Sequence, residues 1–326
     1  MKKEILKMLK DSDGYISGQE LCTCLGVSRT AIWKVMNQLK EEGYVIDSVS
    51  NKGYKLLEIP DILSSEEIES QMNTKVFGRK VVYIDEVDST NIYAKRLAEE
   101  KDSHGTLVAA GRQTQGKGRR GREWDSPEGT GIWMSLILKP AIKPSQASMI
   151  TLVAGLSVCK TVKKLYGIKS LIKWPNDIVI GGKKICGILT EMSTEFDYIN
   201  HLVVGIGINV STMEFPEELK EKATSIKREC NISIHRSEFI AAIMKEFEFN
   251  YNIFMETCDL SGLEKEYNEY LVNKNREVVI IETRQQYEGT ALGINKDGEL
   301  LVRTRDGREK NVLSGEVSVR GIYGYI

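Results

Sequence analysis

The chain has 326 residues, 41% of them hydrophobic, and its 45 Lys and Arg almost cancel its 46 Asp and Glu. That length supports two or three domains with a substantial core, and the balanced charge excludes a chain whose overall field would gather nucleic acid or membrane. The charge-rich opening Met1–Lys10 is unlike a signal-peptide core, and no apolar run reaches the roughly 18 residues of a membrane span. Six scattered cysteines read as reduced thiols, so a cytoplasmic protein with no membrane partner is expected.

The first predicted element is a helix with Ile5, Leu6 and Leu9 on one face. Ser17-Gly18-Gln19-Glu20 carries a capping-box signature and starts a second helix. Leu25-Gly26-Val27-Ser28 is a tight turn whose Ser28 is placed to cap a third helix. Ile32, Val35, Met36 and Leu39 recur there at spacings of three and four, which leaves Arg29, Thr30, Trp33, Lys34 and Asn37 on other faces. Tyr44–Leu57, broken by Ser50-Asn51-Lys52-Gly53, reads as a two-stranded wing. Residues 1–60 therefore predict a winged helix-turn-helix. Ser28, Arg29, Thr30, Trp33, Lys34 and Asn37 would meet DNA in the major groove, with Lys52 and Lys55 on phosphates. Trp33 either packs at the edge of the core or contacts thymine methyls. The module holds nine Lys or Arg against eight Asp or Glu, so one copy should bind DNA weakly and a dimer on a two-part operator becomes the control point. Cys22-Thr23-Cys24 has no histidine nearby, and no zinc site is expected.

Ile59–Ser65 reads as a short connector, and a central domain is expected over 61–273. Strand-like runs at Val81–Ile84, Thr106–Gly111, Ile132–Leu138, Leu171–Lys173, Ile185–Met192 and Leu202–Val210 alternate with helical patterns at Asn91–Glu100, Gln146–Tyr166, Arg236–Glu256 and Gly262–Leu271. Several strands are joined by hairpins, which predicts an α+β domain on a mixed sheet.

Between Gly111 and Trp124 lie five cationic residues and repeated glycines. The string matches G-x-G-x-x-G, yet Pro127 and the loop-like residues around it exclude the long helix that a dinucleotide turn would open. No Gly-Lys-Ser/Thr follows, so it is not a Walker loop. A mobile loop for a phosphate or an adenylate fits better than a solvated basic turn. Farther on, Lys173-Trp174-Pro175-Asn176-Asp177 is a rigid turn, and the hairpin signal Gly181-Gly182 would put Lys173 and Lys184 on neighbouring strands, converging on one anionic ligand. Ser211–Ser225 reads as a second loop. From Glu277 short strands predict a five-stranded SH3-like barrel over 274–326.

Asp88-Ser89-Thr90-Asn91, Gln113 with Gly116-Lys117-Gly118-Arg119-Arg120-Gly121, Lys173-Trp174-Pro175-Asn176-Asp177, Lys184-Ile185-Cys186-Gly187 and Gly205-Ile206-Gly207-Ile208-Asn209 stand in the order and approximate spacing of one family. Through them the chain resembles the bifunctional biotin–protein ligases and biotin-operon repressors over nearly its whole length, including the closing Ser314-Gly315-Glu316-Val317-Ser318-Val319-Arg320. The resemblance implies a core related to class II aminoacyl-tRNA synthetases and lipoate ligases, with ATP and biotin as substrates and Mg2+ as cofactor. Biotin's carboxylate would form biotinyl-5′-AMP, and a lysine of a biotin carboxyl carrier protein would take the biotinyl group. Operator DNA and a ligand-promoted homodimer through edge strands of the central sheet are the other implied partners.

Carried over by residue, the resemblance assigns biotin to Ser89, Thr90, Asn91, Gln113, Lys117, Gly118, Arg119 and Lys184. Nucleotide and phosphates fall to Gly116, Arg120, Arg122, Asn176, Asp177 and Asn209, with Asp177 as a magnesium ligand. Lys184, Lys173 and Arg119 would be catalytic. Lys117 stands where some members carry arginine, so it keeps the charge without the planar fork. The lid over adenine lacks tryptophan here, which leaves Met213 or Phe215 to supply its apolar surface. The alternatives are a ligase whose winged helix represses nothing, a biotin-sensing transcription factor with a dead ligase site and, more remotely, a lipoate ligase.

Overall fold

The computed structural model describes residues 1–195, 197–282, 285–314, 318–321 and 325–326. Its first elements are α1 (Lys2–Lys10), α2 (Gly18–Leu25), α3 (Arg29–Glu41), β1 (Val45–Val49) and β2 (Gly53–Glu58). Ser17 Oγ accepts from Glu20 N at 3.0 Å and Ser28 Oγ from Ala31 N at 3.3 Å, so both expected caps form. Ile5, Leu6, Leu9, Leu21, Ile32, Val35, Met36, Leu39 and Tyr44 bury together as one small core. β1 and β2 pair antiparallel as the wing. Arg29, Thr30, Trp33 and Lys34 face solvent, and Asn37 is half-buried. Trp33, 57% exposed, is not part of the core.

The connector ends within one residue of its expected limit, but the helix that follows it was not expected. Ser64 caps a fourth helix, α4 (Ser65–Gln71), by accepting from Glu67 N at 3.1 Å. α4 ties the winged module to the rest of the chain. Glu67, fully buried, accepts from Lys10 Nζ at 2.6 Å and from Ser237 Oγ at 3.0 Å, and the Tyr44 hydroxyl donates to its other oxygen. Beside it, Arg236 holds Asp61 through Nε at 3.0 Å and its backbone N–H at 2.9 Å, and also reaches Gly131 O at 3.3 Å.

The central elements follow as β3 (Val81–Val87), α5 (Thr90–Ala98), β4 (Leu107–Gln113), β5 (Gly131–Leu138), α6 (Ala147–Tyr166), β6 (Leu171–Lys173), β7 (Asp177–Ile180), β8 (Lys183–Glu195), β9 (Tyr198–Asn209), α7 (Ile226–Cys230), α8 (Arg236–Thr257) and α9 (Glu264–Tyr270). The seven strands run in the order β3-β4-β5-β9-β8-β7-β6. Only β3–β4, joined through α5, is parallel; the other pairs are antiparallel, as the hairpin signals required. β5 is buried from end to end because the sheet is covered on both faces. α6 and α8 supply Leu152, Val153, Leu156, Phe239, Ile243 and Phe247 to the larger core, while α5 brings Ala94 and Ala98 against Val108, Ile137 and Val203. Among the described residues no helix is long and apolar enough to cross a membrane.

β10 (Arg276–Ile281), β11 (Gln286–Ile294), β12 (Leu300–Thr304), β13 (Glu309–Val312) and β14 (Ser318–Gly321) form a five-stranded antiparallel sheet in the order β13-β12-β11-β10-β14, in keeping with an SH3-like module. Buried Trp174 joins it to the centre: its backbone N–H donates to Asn273 Oδ1 at 2.9 Å and its indole to Gly298 O at 3.2 Å. Gly315, Glu316 and Val317 of the terminal motif lie outside the described residues.

Candidate functional site

The site is built on the glycines of β8 and β9. A Cβ on Gly205 would sit 2.2 Å from Asn91 Oδ1, one on Gly207 2.5 Å from Trp124 Nε1, and one on Gly187 2.9 Å from the same ring. Three strand positions without side chains thus leave a hollow above the sheet. Ser89, Thr90 and Asn91, at the start of α5, form one wall of an inner pocket of about 50 Å³. Gln113 at the end of β4, with Lys117, Gly118, Arg119 and Trp124 of the loop that follows, forms another. Lys184 lies at the mouth. There the pocket meets a cleft of about 780 Å³, lined by Arg119, Arg120, Arg122, Lys173, Asn176, Asp177, Asn209, Phe215, Arg320 and Tyr325.

A hydrogen-bond chain runs along the inner wall from Ser126 to Lys95. Gln113 Oε1 accepts from Thr90 N at 2.8 Å and Thr90 Oγ1 at 3.0 Å, while its Nε2 donates to Ser126 Oγ at 2.8 Å. The buried Ser135 hydroxyl lies 2.7 Å from Thr90 Oγ1 and 2.6 Å from Asn91 Oδ1. Asn91 Nδ2 donates to Glu191 Oε2 at 2.8 Å, and Glu191 in turn pairs with Lys95 at 2.5 Å. Burial opposes the charge on Glu191, but Lys95 and Asn91 prevail and hold its carboxyl below the usual range. Thr90, Asn91, Gln113 and Ser135 are each fixed by a neighbour, so this part of the wall is preorganised for a ligand with its own donors and acceptors.

The mouth is cationic around one buried carboxylate. Lys184 Nζ pairs with Asp177 Oδ1 at 2.5 Å, and the Tyr325 hydroxyl donates to Asp177 Oδ2 at 2.5 Å. Burial works against ionisation of Asp177, but Lys184 and Tyr325 outweigh it and lower its pKa. Lys173 is buried beside the same carboxylate, and desolvation brings its ammonium down to about 8. Lys173 and Lys184 do converge, though not on neighbouring strands as expected: β7 lies between β6 and β8. A register shift after Ile178 turns Lys184 back toward Asp177. Arg119 donates to Asn176 Oδ1 at 2.9 Å and to Ser314 O at 2.5 Å, which pins the glycine-rich loop to the C-terminal sheet. At the loop tip Arg120 has φ 59°, the left-handed region that arginine seldom enters, and Gly121 follows at φ 72°.

The structure gathers Ser89, Thr90, Asn91, Gln113, Lys117, Gly118, Arg119 and Lys184 around one pocket, and Arg120, Arg122, Asn176, Asp177, Lys173 and Asn209 around the adjoining cleft. Two assigned residues line neither. Gly116 is buried under Trp124 O and Ser126, where a Cβ would meet atoms at 2.2 and 2.8 Å, so it shapes the loop. Met213 is 57% exposed, whereas Phe215, 8% exposed, lines the cleft and supplies the apolar surface of the second loop. Sequence reasoning missed Trp124, Ser135, Glu191 and Tyr325. Trp124 had a signal, since a tryptophan closing a basic glycine loop opposite strand glycines has a seat prepared for it. Its indole N–H is buried and finds no acceptor among the described residues.

Three family models divide the chain. The HTH domain matches residues 2–55, the Biotin/lipoate A/B protein ligase family residues 83–209, and the Biotin protein ligase C terminal domain residues 275–320. The bifunctional ligase/repressor BirA of Bacillus subtilis is 39% identical over 313 residues, covering 95% of this chain and 96% of that protein. The chain belongs to the bifunctional ligase/repressor BirA family. The BirA of Escherichia coli is 32% identical over 93% of this chain and 92% of its own length. Among solved structures, the biotin protein ligase of Aquifex aeolicus in complex with biotin and ATP superposes with a TM-score of 0.66 at 34% identity, covering 74% of this chain and 99% of that one. Like other BirA-family members the chain therefore joins an HTH module to a ligase core.

Proposed function

We propose that this chain is a biotin–protein ligase that activates biotin with ATP, transfers it to a lysine of a biotin carboxyl carrier protein, and represses biotin genes through its winged helix. The observation that carries the reading is the meeting of two compartments at Lys184: an inner pocket walled by polar side chains and an outer cleft rich in cations. Ser89, Thr90, Asn91 and Gln113 suit the ureido ring, which offers two N–H donors and one carbonyl acceptor. The indole of Trp124 takes up much of the inner room, so biotin would move it outward as the loop closes. Its orphaned N–H is then free to meet an acceptor on the ligand.

The biotin carboxylate would lie at Lys184, facing the α-phosphate of ATP in the cleft. The carboxylate oxygen bonds to the α-phosphorus as the bond to the bridging oxygen breaks, and pyrophosphate leaves with the electron pair. Lys184, Arg119, Arg120 and Arg122 offset the negative charge that accumulates on the phosphates. The acceptor lysine's amine then bonds to the acyl carbon, AMP leaves, and the amine's proton passes to solvent. Both steps need positioning and charge stabilisation, with no covalent link to the protein. Asp177 is the carboxylate beside the two lysines, and among the described residues no cluster of three or more carboxylate, histidine or cysteine side chains is placed to hold a metal alone. Asp177 is the residue that would hold magnesium beside the ATP phosphates, where the ion would supply neutralisation of phosphate charge. Phe215 and the loop around it would cover the adenine and exclude water.

The adenylate has a second use. Loops ordered around it would favour a homodimer through edge strands of the central sheet, and the dimer would present two copies of α3 to a two-part operator. Incubation with biotin, ATP and a purified carrier domain tests the ligase reading. One biotinyl group on one carrier lysine, with equal amounts of AMP and pyrophosphate, is expected; ATP-independent labelling, or lipoyl transfer in preference to biotinyl, would refute it.

A further inference from the structure

Tyr325 belongs to no motif read from the sequence, yet it reaches the middle of the nucleotide cleft. Its hydroxyl donates to Asp177 Oδ2 at 2.5 Å, and Lys173 Nζ lies 3.4 Å from the centroid of its ring. Lys184 takes the opposite oxygen of Asp177. A carboxylate that accepts a hydrogen bond at one oxygen and faces an ammonium as an ion pair at the other is held in orientation mainly by the hydrogen bond, and an ammonium against a ring face keeps its place after losing water. The neighbouring Ile326 is lodged as well. A Cβ on Gly182 would come within 3.1 Å of Ile326 Cδ1, and one on Gly321 within 2.0 Å of Ile326 O. The Gly181-Gly182 turn and β14 thus seat the residue beside Tyr325. Burial, with Asp177 alongside, pushes the phenol pKa up, so the hydroxyl stays a donor at neutral pH.

We propose that Tyr325 is a positioning residue of the ligase: its hydroxyl sets the plane of Asp177, and through it the direction of Lys184, while its ring seats Lys173 against the nucleotide. The inference rests on the reading of this cleft as the ATP site. It divides one side chain into two separable roles. The hydroxyl acts on the group at the reacting carboxylate and so belongs to turnover; the ring acts on a phosphate-side lysine and so belongs to ATP affinity.

Tyr325→Phe and Tyr325→Ala in the full chain test this, with initial rates of pyrophosphate release measured against ATP and biotin separately. Loss of one hydrogen bond to a charged group predicts that both variants lose about tenfold in kcat. Tyr325→Ala should also raise the KM for ATP about fivefold, Tyr325→Phe should restore that KM, and the KM for biotin should stay within about twofold throughout. Both variants matching the parent chain would overturn the proposal. So would a lower KM for ATP with a faster rate in Tyr325→Ala, which would make the ring an obstacle in the cleft. The near-isosteric Phe variant keeps the test valid if the Ala variant fails to fold. Failure of the parent chain to release pyrophosphate from ATP and biotin would instead remove the ATP-site reading itself.

Discussion

Replacing Lys184 with methionine removes the ammonium while keeping most of the side chain's volume, and two losses of different kind follow. The first is catalytic. One preorganised charge contact at a reacting phosphate is worth about 2.7–4 kcal/mol, so pyrophosphate release should fall roughly a hundred- to a thousand-fold. The second is structural. Lys184 and Asp177 pair at 2.5 Å with side chains 24% and 15% exposed, and the loss orphans a carboxylate that burial already disfavours. Breaking a fully buried pair costs about 3–5 kcal/mol; with this exposure, and with Tyr325 still donating, about 1–2 kcal/mol is the better expectation. Asp177→Asn added to Lys184→Met removes the orphaned charge, so the double variant should regain most of the lost melting temperature without regaining activity. Pyrophosphate release at saturating biotin and ATP, set beside thermal denaturation, reads both effects. Parental pyrophosphate release in Lys184→Met would refute the reasoning, and so would recovery of activity in the double variant.

Glu67 gives a pH signature. Burial opposes its charge, but Lys10, Tyr44 and Ser237 hold its carboxyl below the ordinary 4.5, so its contribution is complete above that value and drains as pH falls through the lower folded pKa. Glu67→Gln should flatten the acid limb of the stability curve, whereas an unchanged limb contradicts the network's role. Gly205→Ala would put a carbon 2.2 Å from an Asn91 oxygen whose amide is held by Glu191, so the KM for biotin should rise about tenfold or more while DNA binding without ligand is unaffected. The exposed Trp33 of α3 and Lys52 of the wing should separate cleanly. Lys52→Ala lowers the salt slope of DNA binding by about one, and Trp33→Ala weakens operator binding at an unchanged slope. Equal slopes for Lys52→Ala and the parent would remove Lys52 from the phosphate contacts.

The winged helix was legible because each of its signals is local. Ser17 and Ser28 are caps three residues before the N–H they bind, and Ile32, Val35, Met36 and Leu39 share one face by spacing alone. The mixed sheet was legible from its hairpin signals, and the two halves of the site from the motifs at 88–91, 113–121, 173–177 and 184–187. What stayed hidden depends on contacts distant in sequence. Ser135 is an ordinary strand serine until β5 brings it beside Thr90 and Asn91. Glu67 reads as a solvated helix charge until Lys10 and Ser237 close over it. Tyr325 meets Asp177 across 148 residues. The supposed adjacency of Lys173 and Lys184 failed for a related reason: one glycine turn predicts one hairpin, and the intervening β7 and its register shift set the geometry.

In the proposed function one adenylate serves as both intermediate and corepressor. The decisive measurement is binding to DNA from upstream of biotin genes, at one fixed salt concentration, with and without biotin plus ATP. A tightening of about tenfold or more is expected, the ordinary range for a coupling of about 1–3 kcal/mol, and so is its loss when unmodified carrier protein is added. Equal binding in every condition, from a chain that still biotinylates the carrier, would contradict it.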